Sequence, residues 1–283
     1  MKKIILAFAS VVIALGFVGC TNITSDGLTG ISYHAIYTIL GDNPCYHAVG
    51  DDYVDAGCTA VVYDEATDSY LDITDGVEVT IYSVFNASYT YIDEGMSISD
   101  VITGEDMGIF YIYFSYTNKD GFSYSESRDV YVYDPEYDGV DISGDYILQA
   151  GSYRIYNANA DYSAIDDAVT FDGYEVSITQ FLPGFFYVSD FIAGWYSEYN
   201  DYGSSYAMTG YATVDDDNTT IIGLSSYVPS WSDGWDSIYN ATYSAVEKDG
   251  VVTKTISWIV EYAECMLFNI ILKAEAEVEE DEE

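Results

Sequence analysis

The chain has 283 residues, and its 48 aspartates and glutamates against eight lysines and arginines give a formal net charge of −40 at neutral pH. Nucleic-acid binding is excluded because it requires clustered basic side chains that neutralise phosphates. Contact between the protein surface and anionic lipid head groups is disfavoured for the same reason. A charge of this size fits either a self-repelling soluble surface or a surface that attracts cations.

The N-terminus begins with Lys2-Lys3 and continues as an apolar segment, residues 4–18, in which only Ser10 is polar. A membrane-spanning helix needs about 20 residues, so this shorter segment predicts the core of a signal peptide over residues 1–19. It ends in Phe17-Val18-Gly19-Cys20, which resembles a bacterial lipobox, with Phe17 where that family usually has leucine. The resemblance implies lipidation of Cys20 and a membrane attachment through acyl chains only. A plain secretory leader with an incidental cysteine is the alternative.

The rest of the chain predicts an all-β fold. The full chain has 31 tyrosines and 12 phenylalanines, and the part after residue 20 also has frequent valine, isoleucine and threonine in short alternating runs, which favour strands. Glycine and Asp-Gly pairs separate these runs, and no stretch has helical periodicity over a useful length. Residues 20–30 are small and polar, and we expect a lipid anchor and tether there.

Residues 31–134 carry two motifs in a fixed order. The first is G-x-x-Y-x-D-x-G-x-x-A, formed by Gly50, Tyr53, Asp55, Gly57 and Ala60. The second, about fifty residues later, is a strand that starts at Gly108, an Asp-Gly turn at residues 120–121 and a final R-x-V-x-V strand over residues 128–132. Together they resemble the immunoglobulin-like repeats of bacterial surface proteins, which implies a two-sheet sandwich.

Three cysteines follow Cys20. In an oxidising compartment Cys45 and Cys58 could close a short loop by a disulfide, which would leave Cys265 unpaired. The sequence leaves both the bridged and the free state of this pair open.

Residues 135–141 interrupt the strand pattern with a proline and several acids, and we interpret them as a linker. Residues 142–273 then show eight or nine short strands with turn signals between them, which predict a larger antiparallel β-barrel or β-sandwich domain. These strands include residues 174–181, 185–192, 207–214 and 251–259. Residues 274–283 hold seven acids and predict a disordered tail.

The arrangement of lipid cysteine, immunoglobulin-like module and tyrosine-rich β module resembles two-domain lipoproteins of Bacteroidetes that are often encoded with glycan-uptake systems. The resemblance implies attachment to the outer membrane, facing either the cell surface or the periplasm. It also implies a polysaccharide or oligosaccharide as the partner.

The residues available argue against an enzyme. His34 and His47 are the only histidines, and they lie in the first domain without the spacing of a metal site. The second domain therefore contains no serine–histidine or cysteine–histidine pair, and no phosphate-binding glycine loop is present. A glycoside hydrolase that uses two carboxylates stays open, because 48 acids offer many pairs.

Two stretches of the second domain combine aromatic rings with polar residues, as sugar recognition requires. They supply six candidate ligand-binding residues, namely Trp195, Tyr196, Tyr199, Trp231, Asp233 and Trp235. Tryptophan and tyrosine in loops provide large contact areas with few rotatable bonds. Burial of the same rings at the barrel ends is the alternative, and Trp258, in a regular strand, is expected in the core.

Calcium is the one ion considered, because Asp215, Asp216, Asp217 and the acids at 64–68 supply oxygen ligands. Ordinary acidic turns are the alternative, and we assign no metal ligand and no catalytic residue. The sequence thus favours a non-enzymatic envelope lipoprotein that binds glycan, with the first domain as a spacer. The alternatives are an adhesion or assembly protein that binds another envelope protein and a carboxylate-dependent hydrolase.

Overall fold

The structure is a computed structural model that describes residues 32–84, 88–157, 159, 161, 162 and 168–277. The signal peptide, Cys20 and the tether of the sequence-based prediction lie outside the described residues. Strands dominate the described chain and the helices are single turns, so the prediction of an all-β protein is confirmed. No helix in the described ranges has the length and apolar character needed to cross a membrane.

The first half of the chain forms two sheets around one core. Its strands are β1 Ile36–Ile39, β2 Cys45–Ala48, β3 Cys58–Asp64, β4 Ser69–Asp72, β5 Glu78–Ser83, β6 Ser88–Tyr91, β7 Gly108–Thr117 and β8 Ser123–Tyr133. The smaller sheet has the order β1-β3-β4, and the larger has the order β2-β8-β7-β5-β6. The pairing of β2 with β8 is parallel, whereas the other strand pairs are antiparallel.

Alternation along the strands explains this core. In β7, Ile112 and Phe114 are buried while Tyr111 and Tyr113 face outward, because successive side chains of a strand point to opposite faces. Buried side chains of the larger sheet pack with partly buried ones of the smaller sheet, including Tyr37 and Ile39.

The second half of the chain forms one ten-stranded sheet. Its strands are β9 Gly144–Leu148, β10 Tyr153–Tyr156, β11 Val169–Thr170, β12 Glu175–Leu182, β13 Phe185–Val188, β14 Thr209–Val214, β15 Ile221–Tyr227, β16 Ser237–Lys248, β17 Val251–Tyr262 and β18 Met266–Glu277. The main order is β11-β10-β18-β9-β12-β13-β14-β15, and β17 joins β16 to β18. The sheet curls into a half-barrel, and a bridge between Thr220 and Thr242 links its two ends.

The core of the second half lies inside this curled sheet. In β17, Ile256, Trp258, Val260 and Tyr262 alternate inward and are at most 2% exposed. The indole nitrogen of Trp258 donates a 2.7 Å hydrogen bond to the backbone oxygen of Phe191. The prediction of a core position for Trp258 is therefore confirmed.

Two hairpin turns have the backbone conformation that their sequences predict. Asp249 and Gly250 both have positive φ between β16 and β17, as the favoured two-residue hairpin loop requires. Pro183 and Gly184 connect β12 to β13, and Gly184 takes the positive φ that a glycine accepts without steric cost.

The two halves contact each other through a small apolar cluster. Val84 and Ile109 from the first half pack with Phe185 and Leu224 from the second. The predicted linker lies against the second half, because the backbone nitrogen of Val140 donates a 2.9 Å hydrogen bond to Oδ1 of Asn218.

Two predictions of element bounds are wrong. The strand expected over residues 185–192 ends at Val188, because the carboxylate of Asp190 binds the backbone of the following turn and competes with strand pairing. Residues 274–277, which were expected in the tail, belong to β18, which continues to Glu277 and pairs there with Val251 of β17. Residues 278–283 lie outside the described residues.

Candidate aromatic binding site

The candidate site is formed by the connection between β13 and β14, which contains most of the predicted aromatic residues. Asp190 holds this connection in place and is only 5% exposed. Its Oδ1 accepts hydrogen bonds from the backbone nitrogens of Ile192 and Met208, each 3.0 Å long. Its Oδ2 accepts one from the nitrogen of Gly194 at 2.9 Å and one from the Ser197 hydroxyl at 3.2 Å. One carboxylate thus joins both ends of the connection.

The local backbone explains why the rings project as they do. Ala193 and Gly194 both have positive φ, and the chain then makes a single π-helical turn over Trp195–Tyr199. A Cβ atom on Gly194 would lie 3.0 Å from the ring of Tyr174, so glycine is needed there for space as well as for conformation. Burial raises the pKa of Asp190, and the hydrogen bonds from backbone nitrogens act in the opposite direction.

Five rings form a contiguous group, which we call the Trp231 cluster: Tyr196, Tyr202, Tyr206, Trp231 and Tyr262. The ring centroid of Trp231 lies 4.6 Å from that of Tyr196 and 5.0 Å from that of Tyr206, both edge to face. Tyr202 stacks on Tyr196 at 6.0 Å. Such ring pairs contribute about 0.5–1.5 kcal/mol each beyond their buried area, so the cluster is a firm support for its exposed members.

The exposed members of this cluster are Tyr202 and Trp231, which are 54% and 39% exposed. Tyr262 lies beneath them, 2% exposed, and its hydroxyl donates a 2.8 Å hydrogen bond to Oδ1 of Asp233. The hydroxyl of Tyr196 is 2.9 Å from Sδ of Met266, and burial raises the pKa of Tyr196 to about 12. The phenol of Tyr196 therefore stays neutral at physiological pH.

A second group of rings adjoins the first, and we call it the Trp195 cluster: Phe171, Trp195 and Tyr199. Trp195 stacks on Tyr199 with centroids 4.7 Å apart and meets Phe171 edge to face at 5.0 Å. Trp195 is 6% exposed, whereas Tyr199 is 43% exposed. Trp195 therefore belongs to the edge of the core, and Tyr199 is the accessible ring.

The six predicted site residues lie in three different places in the structure. Tyr196, Trp231 and Asp233 meet in or beside the Trp231 cluster, and Trp195 and Tyr199 meet in the Trp195 cluster. Trp235 lies apart from both, since its ring meets Phe191 at 4.5 Å and it packs on the core.

Several residues of this region could not be predicted from the sequence. Tyr202, Tyr206 and Tyr262 join the Trp231 cluster through space, and no spacing along the chain marks them. Asp190 was missed because it follows an apolar strand. The one available signal was the glycine four positions later, since an acid followed closely by glycine is typical of turns.

The remaining polar candidates lie in the first half or in turns. His47 contacts the backbone oxygen of Asp51 at 2.7 Å, and His34 packs near Tyr124. Carboxylates in the two acidic turns accept local hydrogen bonds, as Asp64 does from the hydroxyl of Thr67 at 2.9 Å. Within the described ranges, no group of three or more acids, histidines or cysteines could hold a metal ion.

Cys45 and Cys58 have free thiols in this structure. Both are partly buried and pack against the core of the first half. Burial raises the pKa of each thiol, which lowers the fraction of reactive thiolate at neutral pH.

A family model described as a C-terminal domain matches residues 135–274, which include both aromatic clusters. Among solved structures, the chain is similar to the lipoprotein BT2262 from Bacteroides thetaiotaomicron, with 30% identity over 85% of this chain and 100% of that one and a TM-score of 0.40. The chain belongs to the family of this Bacteroides lipoprotein. No curated protein matches it.

Membership rests on identical residues along the whole of that lipoprotein and not on the superposition. It supports the coarser prediction of a Bacteroidetes lipoprotein. The resemblance of the first half to immunoglobulin-like repeats stays a prediction.

Proposed function

We propose that the protein is a non-enzymatic envelope lipoprotein whose second half binds a glycan through the Trp231 cluster. One observation carries the proposal, namely that the exposed rings of Tyr202 and Trp231 both pack on the partly buried rings of Tyr196 and Tyr206 at one end of the half-barrel. Isolated exposed apolar side chains are ordinary, whereas a contiguous exposed patch indicates a binding surface.

The chemistry of the patch suits a sugar. A pyranose ring has apolar faces that pack on a flat aromatic ring, and its hydroxyl groups need hydrogen-bond partners at the edge. The phenol of Tyr202 and the exposed carboxylate of Asp233 supply such groups beside Trp231. The support reduces the conformational entropy that the rings lose on binding, because their neighbours already restrict them.

Attachment to the outer membrane through Cys20 is part of the same proposal. It is supported by the lipobox-like sequence and by membership of a lipoprotein family. In this arrangement the first half holds the binding half away from the membrane. Metabolic labelling with a fatty acid tests the anchor, since label should be incorporated by the natural chain and not by Cys20→Ser.

Affinity electrophoresis tests the binding site. The mature protein, with Cys20→Ser to keep it in solution, is run through gels that contain plant, host or microbial polysaccharides. We expect one class to retard it, and we expect Trp231→Ala with Tyr202→Ala to abolish the retardation. Tyr91→Ala is the matched control, because Tyr91 is 69% exposed but lies in the first half.

Equal retardation of the double variant and the natural chain would show that this site assignment is wrong. Trp231→Phe should retain part of the binding because it keeps an aromatic face. The same mixtures are assayed for reducing ends, and none should appear. Release of reducing sugar that one carboxylate substitution abolishes would instead establish a hydrolase.

A second candidate function is docking to another envelope protein. It is favoured by exposed tyrosines on the larger sheet of the first half, where Tyr46, Tyr89 and Tyr91 are 56%, 61% and 69% exposed. Tyr89 and Tyr91 lie on β6, an edge strand. If no polysaccharide retards the protein, an envelope partner that is lost with Tyr89→Ala and Tyr91→Ala would support this function.

A further inference from the structure

Arg154 is a cation placed next to the aromatic clusters. It lies on β10 opposite Phe268 of β18, on the side of the sheet that faces Trp195. The central carbon of its guanidinium is 5.2 Å from the ring centroid of Trp195 and 5.0 Å from that of Tyr156. Both distances fall within the range of about 6 Å for cation–π contact.

The same guanidinium is close to the Trp231 cluster. Its positive charge lowers the pKa of Tyr196 and partly offsets the larger increase that burial causes. Tyr196 contacts Trp231 directly. Arg154 therefore contacts the Trp195 cluster and acts electrostatically on Tyr196, a member of the Trp231 cluster.

The contacts of Arg154 differ from those of Arg128, the buried arginine of the first half. Arg128 pairs with Asp55 and donates to the backbone oxygens of Leu40 and Gly57. The identified contacts of Arg154 are with aromatic rings, and its buried Nε donates no hydrogen bond within the described part of the chain. Aromatic rings attract the guanidinium group, but they leave the N–H groups in its plane free to donate hydrogen bonds to oxygen atoms.

A cation at this position is unusual for so acidic a chain. After the leader, six basic residues face 48 acids. Lys254 donates to the backbone oxygens of Asp141 and Ser143, away from the clusters. Among the described residues, Arg154 is the basic side chain found in contact with either cluster.

We propose that Arg154 makes the aromatic site selective for acidic sugars, with the guanidinium binding a sugar carboxylate while the exposed rings hold the sugar faces. The planar guanidinium matches a carboxylate with two parallel N–H···O hydrogen bonds. The half-buried position strengthens this contact relative to one in open solvent. The inference rests on the proposed glycan binding and names its ligand class.

The experiment compares polymers that differ only in their carboxylates. Polygalacturonate, alginate and hyaluronan are each offered to the mature Cys20→Ser protein together with the same polymer whose carboxylates have been reduced to primary alcohols. We expect at least one acidic polymer to bind about tenfold more tightly than its reduced form, as a hydrogen bond to a charged group implies.

Arg154→Met should abolish this difference by weakening the binding of the acidic polymer to about that of its reduced form, because methionine keeps an unbranched apolar stem against the rings and removes the charge. Arg154→Lys should keep a smaller preference, since lysine is a point charge. It also provides the test if Arg154→Met does not fold, which near-ultraviolet circular dichroism of the tryptophans would reveal.

Two outcomes would overturn the inference in distinguishable ways. If acidic and reduced polymers bind equally and both arginine variants behave as the natural chain, the site binds glycan without selecting acids, and the proposed function stands. If the folded protein binds none of these polymers nor any in the wider panel, the proposed function fails and the inference fails with it.

Discussion

Asp190 shows how one side chain can position a whole binding segment. Its two oxygens bind nitrogens that belong to both ends of the β13–β14 connection, so the rings of Trp195 and Tyr196 are fixed relative to the sheet. We expect Asp190→Asn to destabilise the protein by about 1–3 kcal/mol, because an amide has one acceptor oxygen and leaves buried donors unsatisfied. Urea denaturation followed by tryptophan fluorescence measures this change.

Asp145→Asn is the matched control for that substitution. The Asp145 carboxylate is exposed and accepts one 2.6 Å hydrogen bond from the hydroxyl of Ser177, so its loss should change stability by no more than about 0.5 kcal/mol. If the two variants had equal stability, Asp190 would not hold the connection as described.

Asp55 and Arg128 form a buried ion pair that stabilises the first half, as Asp190 stabilises the second. Both side chains are 2% exposed, and the hydroxyl of Tyr53 donates a 2.6 Å hydrogen bond to the same Asp55 oxygen. Asp55→Ala should cost about 3–5 kcal/mol, because it leaves a buried guanidinium without its counter-charge. Thermal unfolding measures the loss, and exposed Asp52→Ala should have little effect. A small effect of Asp55→Ala would mean that solvent reaches Arg128 in the native state.

This network explains a motif whose role was not apparent from the sequence. Tyr53, Asp55 and Gly57 were identified by resemblance, and Arg128 by a separate match. Their contact joins residues 73 positions apart, and spacing alone does not predict such a pair. The candidate site has the same property, since Tyr262 and Arg154 reach it only through strand pairing.

At the scale of elements, the turn between β14 and β15 links an acidic sequence to pH-dependent stability. Hydrogen bonds from the hydroxyl and nitrogen of Thr220 lower the pKa of Asp217 to about 2. A lowered pKa means that the unfolded chain binds this proton first, so the stabilisation is present above about pH 4 and is lost as the pH falls towards 2.

Asp217→Asn should therefore remove part of the acid sensitivity and bring the stabilities of variant and natural chain closer as the pH falls from about 5 to about 2. Urea midpoints across this range measure it, and Asp216→Asn, in the same turn, is the control. A constant difference between Asp217→Asn and the natural chain at all pH values would contradict the assigned cause.

Sequence patterning predicted the strands better than their ends. Alternation located β7, β12, β14 and β17, because one face of each meets a core and period-two burial is visible in the sequence. The last residues of β18 escaped this signal, since alternating alanine and glutamate resembled a solvated tail. They pair with β17 through backbone hydrogen bonds, which the pattern of side chains does not reveal.

At the scale of the whole molecule, the many tyrosines link folding to alkaline pH. Burial raises the pKa of Tyr37, Tyr131, Tyr196 and Tyr239 to about 12 each. A raised pKa favours the protonated form in the folded state, so this stabilisation is complete below about pH 10 and is lost as the pH rises through about 12.

We therefore expect the urea midpoint to fall between about pH 10 and about pH 12, and tyrosinate absorbance to appear at higher pH in the native protein than in urea. Tyr196→Phe should reduce this pH dependence because it removes one such phenol. Coincident titration of native and unfolded chains would contradict the burial of these rings.

The contact between the two halves also contributes to the pH dependence of the whole molecule. Tyr111 from β7 and Tyr211 from β14 flank the apolar cluster that joins them, and burial raises the pKa of both phenols. The pair therefore adds to the alkaline sensitivity without belonging to either core. Sequence analysis did not predict this contact, because each side reads as an outward-facing strand position.

The position of β18 has a consequence for biogenesis. This strand follows every other strand of its sheet in sequence, yet it pairs with β17 on one edge and with β9 and β10 on the other. Those neighbours have no complete sheet to join until β18 has been synthesised, so the second half should fold after synthesis and not progressively during it. Such a chain suits export in an unfolded state, and cleavage before Met266 would leave β9, β10 and β17 with open edges that invite aggregation.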